Sequence, residues 1–175
     1  GQNCVVSARV SDPEGVASAT LYWRTEGASS FNTVTMGDAG SGGDNLAQDG
    51  IWSGTIPGQG GNVTVEFYVE ARDGSNVLVR FPADYPAHEG LVMFGQAASA
   101  NPFDAIRIWT TQNTMSEWIN RTSMDNALLD CTIVYNSGRV VYGAGVRYKA
   151  SIYSRTTMWE SIGTDNPEQY NQGYV

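Results

Sequence analysis

From Val63 to Arg72 the chain alternates without a break, with Val63, Val65, Phe67, Val69 and Ala71 on one side of an extended backbone. A side-chain period of two cannot line one face of a helix, so this segment is a strand with one face toward a core. The stretches before it repeat the theme in shorter form. Cys4 to Val10 alternates, Ser11-Asp12-Pro13-Glu14-Gly15 turns, and Ala17 to Arg24 carries Ala19, Leu21 and Trp23 on one face. Phe31 to Met36 and Ile51 to Ile56 give two further strands, the latter stopped by Pro57-Gly58, and Asp73-Gly74-Ser75-Asn76 turns into Val77 to Phe81. Short strands at this spacing predict a mostly β chain opening with an antiparallel two-sheet sandwich over residues 1–95.

The pattern changes at Pro82, and Ala97-Ala98-Ser99-Ala100-Asn101-Pro102 has the small-residue composition of a connector, so a linker is expected over 96–102. Val92, Met93 and Phe94 are too apolar to hang free and should bury against what flanks them. Residues 103–175 then read as a small α+β segment. It begins with a strand at Ala105 to Thr110 and a helix capped by Asn113 or Thr114, with Met115, Trp118 and Ile119 as its buried stripe. Leu128 to Tyr135 and Arg139 to Tyr148 pair as a hairpin across Asn136-Ser137-Gly138.

Composition narrows the function. Across 175 residues the formal charge is −8, which repels phosphate backbones and argues against nucleic acid as a partner. Lys149 is the only lysine, leaving few candidates for a Schiff base or a phosphate-gripping ammonium. No run approaches the roughly 20 apolar residues that span a bilayer, so no membrane insertion is expected. The chain opens with no charged-then-apolar signal, as a mature or excised piece would. Cys4 and Cys131 are either bridged, which would close a long loop, or buried as free thiols.

Several residues invite a chemical reading. Gly37 to Gly50 is a long loop without strand pattern in which Asp38, Asp44, Asn45 and Asp49 offer hard oxygens of the kind calcium takes six to eight of. The same side chains could instead fold back on their own backbone in Asx-turns. Trp52 and Trp159, in loop-adjacent positions, are the best candidates for sugar stacking and hence for a polysaccharide partner, against a background in which most tryptophans pack a core. His88 reads as a solvated loop residue, and without a G-x-S-x-G elbow it carries no hydrolase triad. Glu66 and Glu70 share one face of a strand, as a glycosidase pair could, but alternation assigns that face to solvent.

Two groups of segments resemble known families. Val10 to Arg24, Gly43 to Pro57 (G-D-N-L-A-Q-D-G-I-W-S-G-T-I-P) and Val65 to Asp73 (V-E-F-Y-V-E-A-R-D) resemble immunoglobulin-like or fibronectin-like modules of large bacterial surface proteins. From Phe103 onward, Arg107-Ile108-Trp109, Leu129-Asp130-Cys131-Thr132 and Gly145 to Ser151 resemble the start of a spore-coat-protein-H-like (CotH-like) kinase domain. Lys149 and Ala150 depart from the family's Arg-x-Arg-Gly-Ser turn, and the family's nucleotide-gripping lysine and metal-binding acids would lie beyond Val175. Phosphoryl transfer needs those parts in one cleft. The resemblance therefore implies a non-catalytic structural, spacer or adhesive module of a secreted or cell-surface protein. A carbohydrate-binding module and a fragment of a kinase-like phosphotransferase are the competing readings.

Overall fold

The computed structural model describes residues 1–96, 105–122, 124–135, 138–148 and 162–165. The chain is mostly β: among the described residues half lie in strands, with one short helix. It divides into two compact units, Gly1–Ala97 and Ala98–Val175.

The first unit is an antiparallel sandwich. Its elements are β1 (Cys4–Arg9), β2 (Val16–Thr25), β3 (Asn32–Thr35), β4 (Ile51–Ile56), β5 (Val63–Asp73), β6 (Leu78–Phe81) and β7 (Gly90–Phe94). One sheet pairs β1 with β4; the other runs β3-β2-β5-β6, with β7 also on β5. The alternation of β5 does what its period demands: Val65, Phe67, Val69 and Ala71 are buried, together with Ala19 and Leu21 of β2. The two-stranded sheet covers this face with the row Val6 and Ile56. Gly54 lets the layers close, because a Cβ there would stand 3.1 Å from Met36 Cγ and 3.4 Å from Leu21 Cδ2.

β6 and β7 are two halves of one interrupted edge. β2 occupies one side of β5 from Val65 to Asp73, so the other side takes both partners: β6 pairs with Val69 to Arg72 and β7 with Val63 to Phe67. Val92 and Phe94 are accordingly buried in the sheet of the first unit. Residues 82–89 leave the sheet between the two halves and return over its outer face. There Tyr85 stacks on Tyr68 at 3.8 Å between ring centroids, and Tyr22 stacks on Tyr68 at 4.5 Å. Arg24 Nε donates to Glu66 at 2.7 Å and Nη2 to Glu89 at 3.2 Å, while Arg80 Nε donates to Glu70 at 2.7 Å. The expectation that Glu66 and Glu70 simply face solvent is thereby corrected. Their face is the outer one, but the excursion and the arginines cover it. His88 is half-exposed in the same excursion and contacts Asp84.

The first β1 residues and the last of β7 meet at one end of the sandwich. Cys4 pairs with Ile56 and Asn3 Oδ1 accepts from Gly58 N at 3.0 Å, while Asn62 N donates to Phe94 O at 2.9 Å. Both contacts fall in the turn joining β4 to β5.

The second unit is a four-stranded antiparallel sheet, order β11-β10-β9-β8, built from β8 (Ile106–Trp109), β9 (Leu129–Tyr135), β10 (Arg139–Tyr148) and β11 (Ile162–Asp165). Helix α1 (Gln112–Asn120) connects β8 to β9. Its N-cap is Thr111, whose side chain accepts from Thr114 N, rather than Asn113 or Thr114. Thr111 is the residue still extended (ψ 161°) when the helix begins, which is what a cap requires. Trp118 is buried and Met115 packs against the core, but Ile119 is exposed, because only a narrow stripe of so short a helix meets the sheet. The core gathers Trp118, Leu129, Cys131, Ile133, Val141, Ala144, Val146 and Tyr148. A bulge shifts β10 against β9 between Val141 and Ala144, with Gly143 supplying the positive φ of 61°. Most of the expected 96–102 linker lies outside the described residues, as do Asn136 and Ser137 of the hairpin turn.

Candidate metal site

The loop between β3 and β4 is drawn together by its own glycines and carboxylates. Gly40, Gly42, Gly43, Gln48 and Gly50 all take positive φ, which folds the chain back on itself repeatedly. Gly43 also has to be glycine for space, since a Cβ there would lie 2.4 Å from Val5 Cγ1. The acids then act as local acceptors. Asp44 Oδ2 accepts from Gly40 N at 2.6 Å and Oδ1 from Leu46 N at 3.1 Å. Asp38 accepts from Asp49 N at 3.2 Å and Gly50 N at 3.0 Å, and Asp49 Oδ1 accepts from Ile51 N at 2.8 Å. The Asx-turn account of these residues therefore describes real contacts.

Those contacts leave a further property unexplained. One carboxylate oxygen from each of Asp38, Asp44 and Asp49 lies within 4.8 Å of the others, and Asp44 is only 6% exposed. Like charges at this spacing repel, more so where water is excluded. The spacing suits one calcium ion, because two oxygens on one Ca²⁺ stand at most about 5 Å apart, twice the metal–oxygen distance. Magnesium, with bonds near 2.0–2.1 Å, would require any pair at the wide end of that range to close up. Each carboxylate keeps lone pairs beyond those given to backbone amides. Asn45 follows Asp44 and is exposed. Its amide oxygen is the fourth candidate donor.

The tryptophans are placed differently. In the β1–β4 sheet, Trp52 pairs with Ala8 and shares its face with Gly54 and Ile56, the residues turned toward the other sheet. It is half-buried on that core side. Trp159 lies outside the described residues. Cys4 and Cys131 are free thiols, one in each unit. Burial pushes the Cys4 thiol up, and burial followed by the nearby Asp130 carboxylate pushes Cys131 up to about 12. Neither is set up as a nucleophile. Among the described residues no helix is long and apolar enough to cross a membrane. The chain matches no protein-family model and no curated protein.

Proposed function

We propose that this chain is a non-catalytic structural or adhesive module of a secreted or cell-surface protein, bacterial by its resemblances, and that calcium sets the loop at the edge of its first unit. The observation supporting this reading is the convergence of Asp38, Asp44 and Asp49 oxygens within 4.8 Å in a glycine-rich loop that has no strand pattern of its own. A bound Ca²⁺ would neutralise the acids and hold the glycines, whose ordering otherwise costs backbone entropy. Asn45 adds a neutral ligand.

Thermal melts with excess chelator, with calcium and with magnesium test the assignment. Calcium should stabilise the fold by RT ln(1 + [L]/Kd), about 2.7 kcal/mol at a hundredfold excess over Kd, and magnesium by less. Asp44→Ala should remove the calcium increment. Superimposed melts in chelator and calcium would show that backbone amides alone hold the loop. Saturable retention of the folded protein on insoluble polysaccharide would instead support a carbohydrate-binding module.

A further inference from the structure

The two layers of the first unit are unequal, five strands against two. β4 lies over β2 and β3, since a Cβ at Gly54 would meet Met36, Leu21 and Val34. β1 sits on the side toward β6, where Val10, Val16, Ala71, Val77 and Val79 line a cavity of about 110 Å³. No strand of the smaller sheet lies beyond β1, so the inner face of β6 is bare. Val79 pairs with Ala71 and Phe81 with Val69, both core residues, yet Val79 is 59% and Phe81 47% exposed. On β7, the other half of the same edge, Val92 and Phe94 are buried.

The backbone beside this bare face is unpaired as well. Ser53, opposite Ser7, exchanges both its backbone bonds with Gly37 on the far side of β4, and Val10 N donates to Gly50 O. By the alternation of an antiparallel ladder, Val5, Ser7 and Arg9 turn their N–H and C=O groups away from β4. In the same way Asp73 N donates to Val77 O, which leaves Leu78 and Arg80 turning theirs away from β5. None of these five has a backbone partner on that side among the described residues. The usual guards of an exposed edge are absent: β1 has no proline, its ladder with β4 has no bulge, and no charge points inward from either strand.

We propose that two copies of this chain close on each other through this edge, each lending its overhanging β6 as the neighbour that the other's β1 lacks. The stagger is self-complementary. A two-fold axis running along the strands, midway between the sheets, sets β1 beside the partner's β6 and β6 beside the partner's β1. The directions agree: β1 and β5 both start at the turn joining β4 to β5, and β6 runs antiparallel to β5, so each new pair is antiparallel. The two bare faces then meet, and Val79 and Phe81 become buried. A foreign peptide along β1 would cover β6 but leave the β6 edge open; a second copy satisfies both edges at once. Little charge is brought together, because Glu70 already neutralises Arg80 at 2.7 Å and the inward residues of β1 are Cys4, Val6 and Ala8. A chain of net charge −8 therefore does not repel itself here. The association goes beyond the reading of the Asp38 loop and does not depend on calcium.

Sedimentation equilibrium of the intact chain across a wide concentration range tests it, with hydrogen exchange read at both ends of that range. The mass should rise from one chain to two and stop there. The amides of Val5, Ser7, Arg9, Leu78 and Arg80 should exchange freely in the monomer and slowly in the dimer. Val79→Glu sets two carboxylates against each other across the axis, so it should raise the dimer Kd at least about tenfold. Because Val79 is exposed in one copy, the melting temperature of the dilute variant should stay that of the dilute parent. A chain that is monomeric at every concentration overturns the proposal. So does slow exchange of those five amides in the monomer, which would mean that the groove is filled from within the chain. A dimer whose five amides still exchange freely is formed elsewhere and overturns it equally.

Discussion

Tyr85 lies flat against Tyr68, 3.8 Å between centroids, and this pair ties an eight-residue excursion of an edge strand to the outer face of the sheet. Tyr68 thereby comes to be covered on a side that alternation alone assigns to water. Tyr85→Ala should cost about 1–3 kcal/mol, combining lost area with the stacking increment. Denaturant melts should record the loss. A variant as stable as the parent would mean that residues 82–89 rest on the sheet without holding it.

Burial, then the Tyr85 hydroxyl, hold the Tyr68 phenol well above its ordinary 10.0. The unfolded chain ionises there and the folded one does not, so the stabilisation present below pH 10 is lost as pH rises beyond it. Alkaline spectrophotometric titration should show a tyrosine that ionises only as the chain unfolds. If every tyrosine titrates reversibly near pH 10 in the folded protein, the packing of Tyr68 is wrong.

Glu89 shares Arg24 with Glu66. Burial, then the Glu66 charge, raise the Glu89 carboxyl above its ordinary 4.5, with Arg24 pulling the other way. The folded state therefore holds a proton that the unfolded state has released. The Glu89 contribution to stability is full below pH 4.5 and falls as pH rises through the folded value. Glu89→Gln should flatten stability against pH in the window just above 4.5 and keep an acceptor for Arg24. An unchanged slope would remove Glu89 as its source.

The two thiols should differ in reactivity. Cys131 is fully buried and held near 12, whereas Cys4 is half-buried. At neutral pH an alkylating reagent should modify Cys4 first, and Cys131 only at the rate of unfolding. Above pH 9.0 the unfolded Cys131 ionises while the folded one stays protonated, so stability should decline from there toward 12. Equal, fast labelling of both would contradict the burial of Cys131.

Gly90 sets a steric limit at the start of β7. A Cβ there would meet the Phe67 ring at 2.6 Å, so Gly90→Ala must displace a core aromatic and should cost about 1–3 kcal/mol. Thermal melts check this. An unshifted midpoint would show that Phe67 has room to move.

Much of this fold was legible in the sequence because alternation is a local signal. Val65, Phe67, Val69 and Ala71 went to the core as their spacing required, and the hairpin of Leu129–Tyr135 with Arg139–Tyr148 formed between two recognisable apolar runs. β7 was harder to read. Leu91-Val92-Met93-Phe94 is a continuous apolar run behind a proline-rich excursion, and period cannot distinguish such a run from a covering arm. The acids of the Asp38 loop stood out as a cluster, but their approach within 4.8 Å depends on positive φ at several residues, which composition does not reveal. Trp118 was legible as part of the helix's buried stripe, but its edge-on contact with the Tyr148 ring was not, because Tyr148 comes from a strand 30 residues further on.

Asn3 and Phe94 are both fastened to the turn between β4 and β5, with consequences for how this module would bear a mechanical load. A pull applied before Asn3 and after Phe94 acts at a single end of the sandwich. Tension then does not run along the length of the sheets, where rows of hydrogen bonds would resist together in shear. It opens the structure at that end, peeling β1 from β4 starting at the Cys4–Ile56 pair. Val5, the next residue of β1, stands against Gly43, and its partner Thr55 donates to Gly42 O, so such peeling would reach the Asp38 loop at its second step.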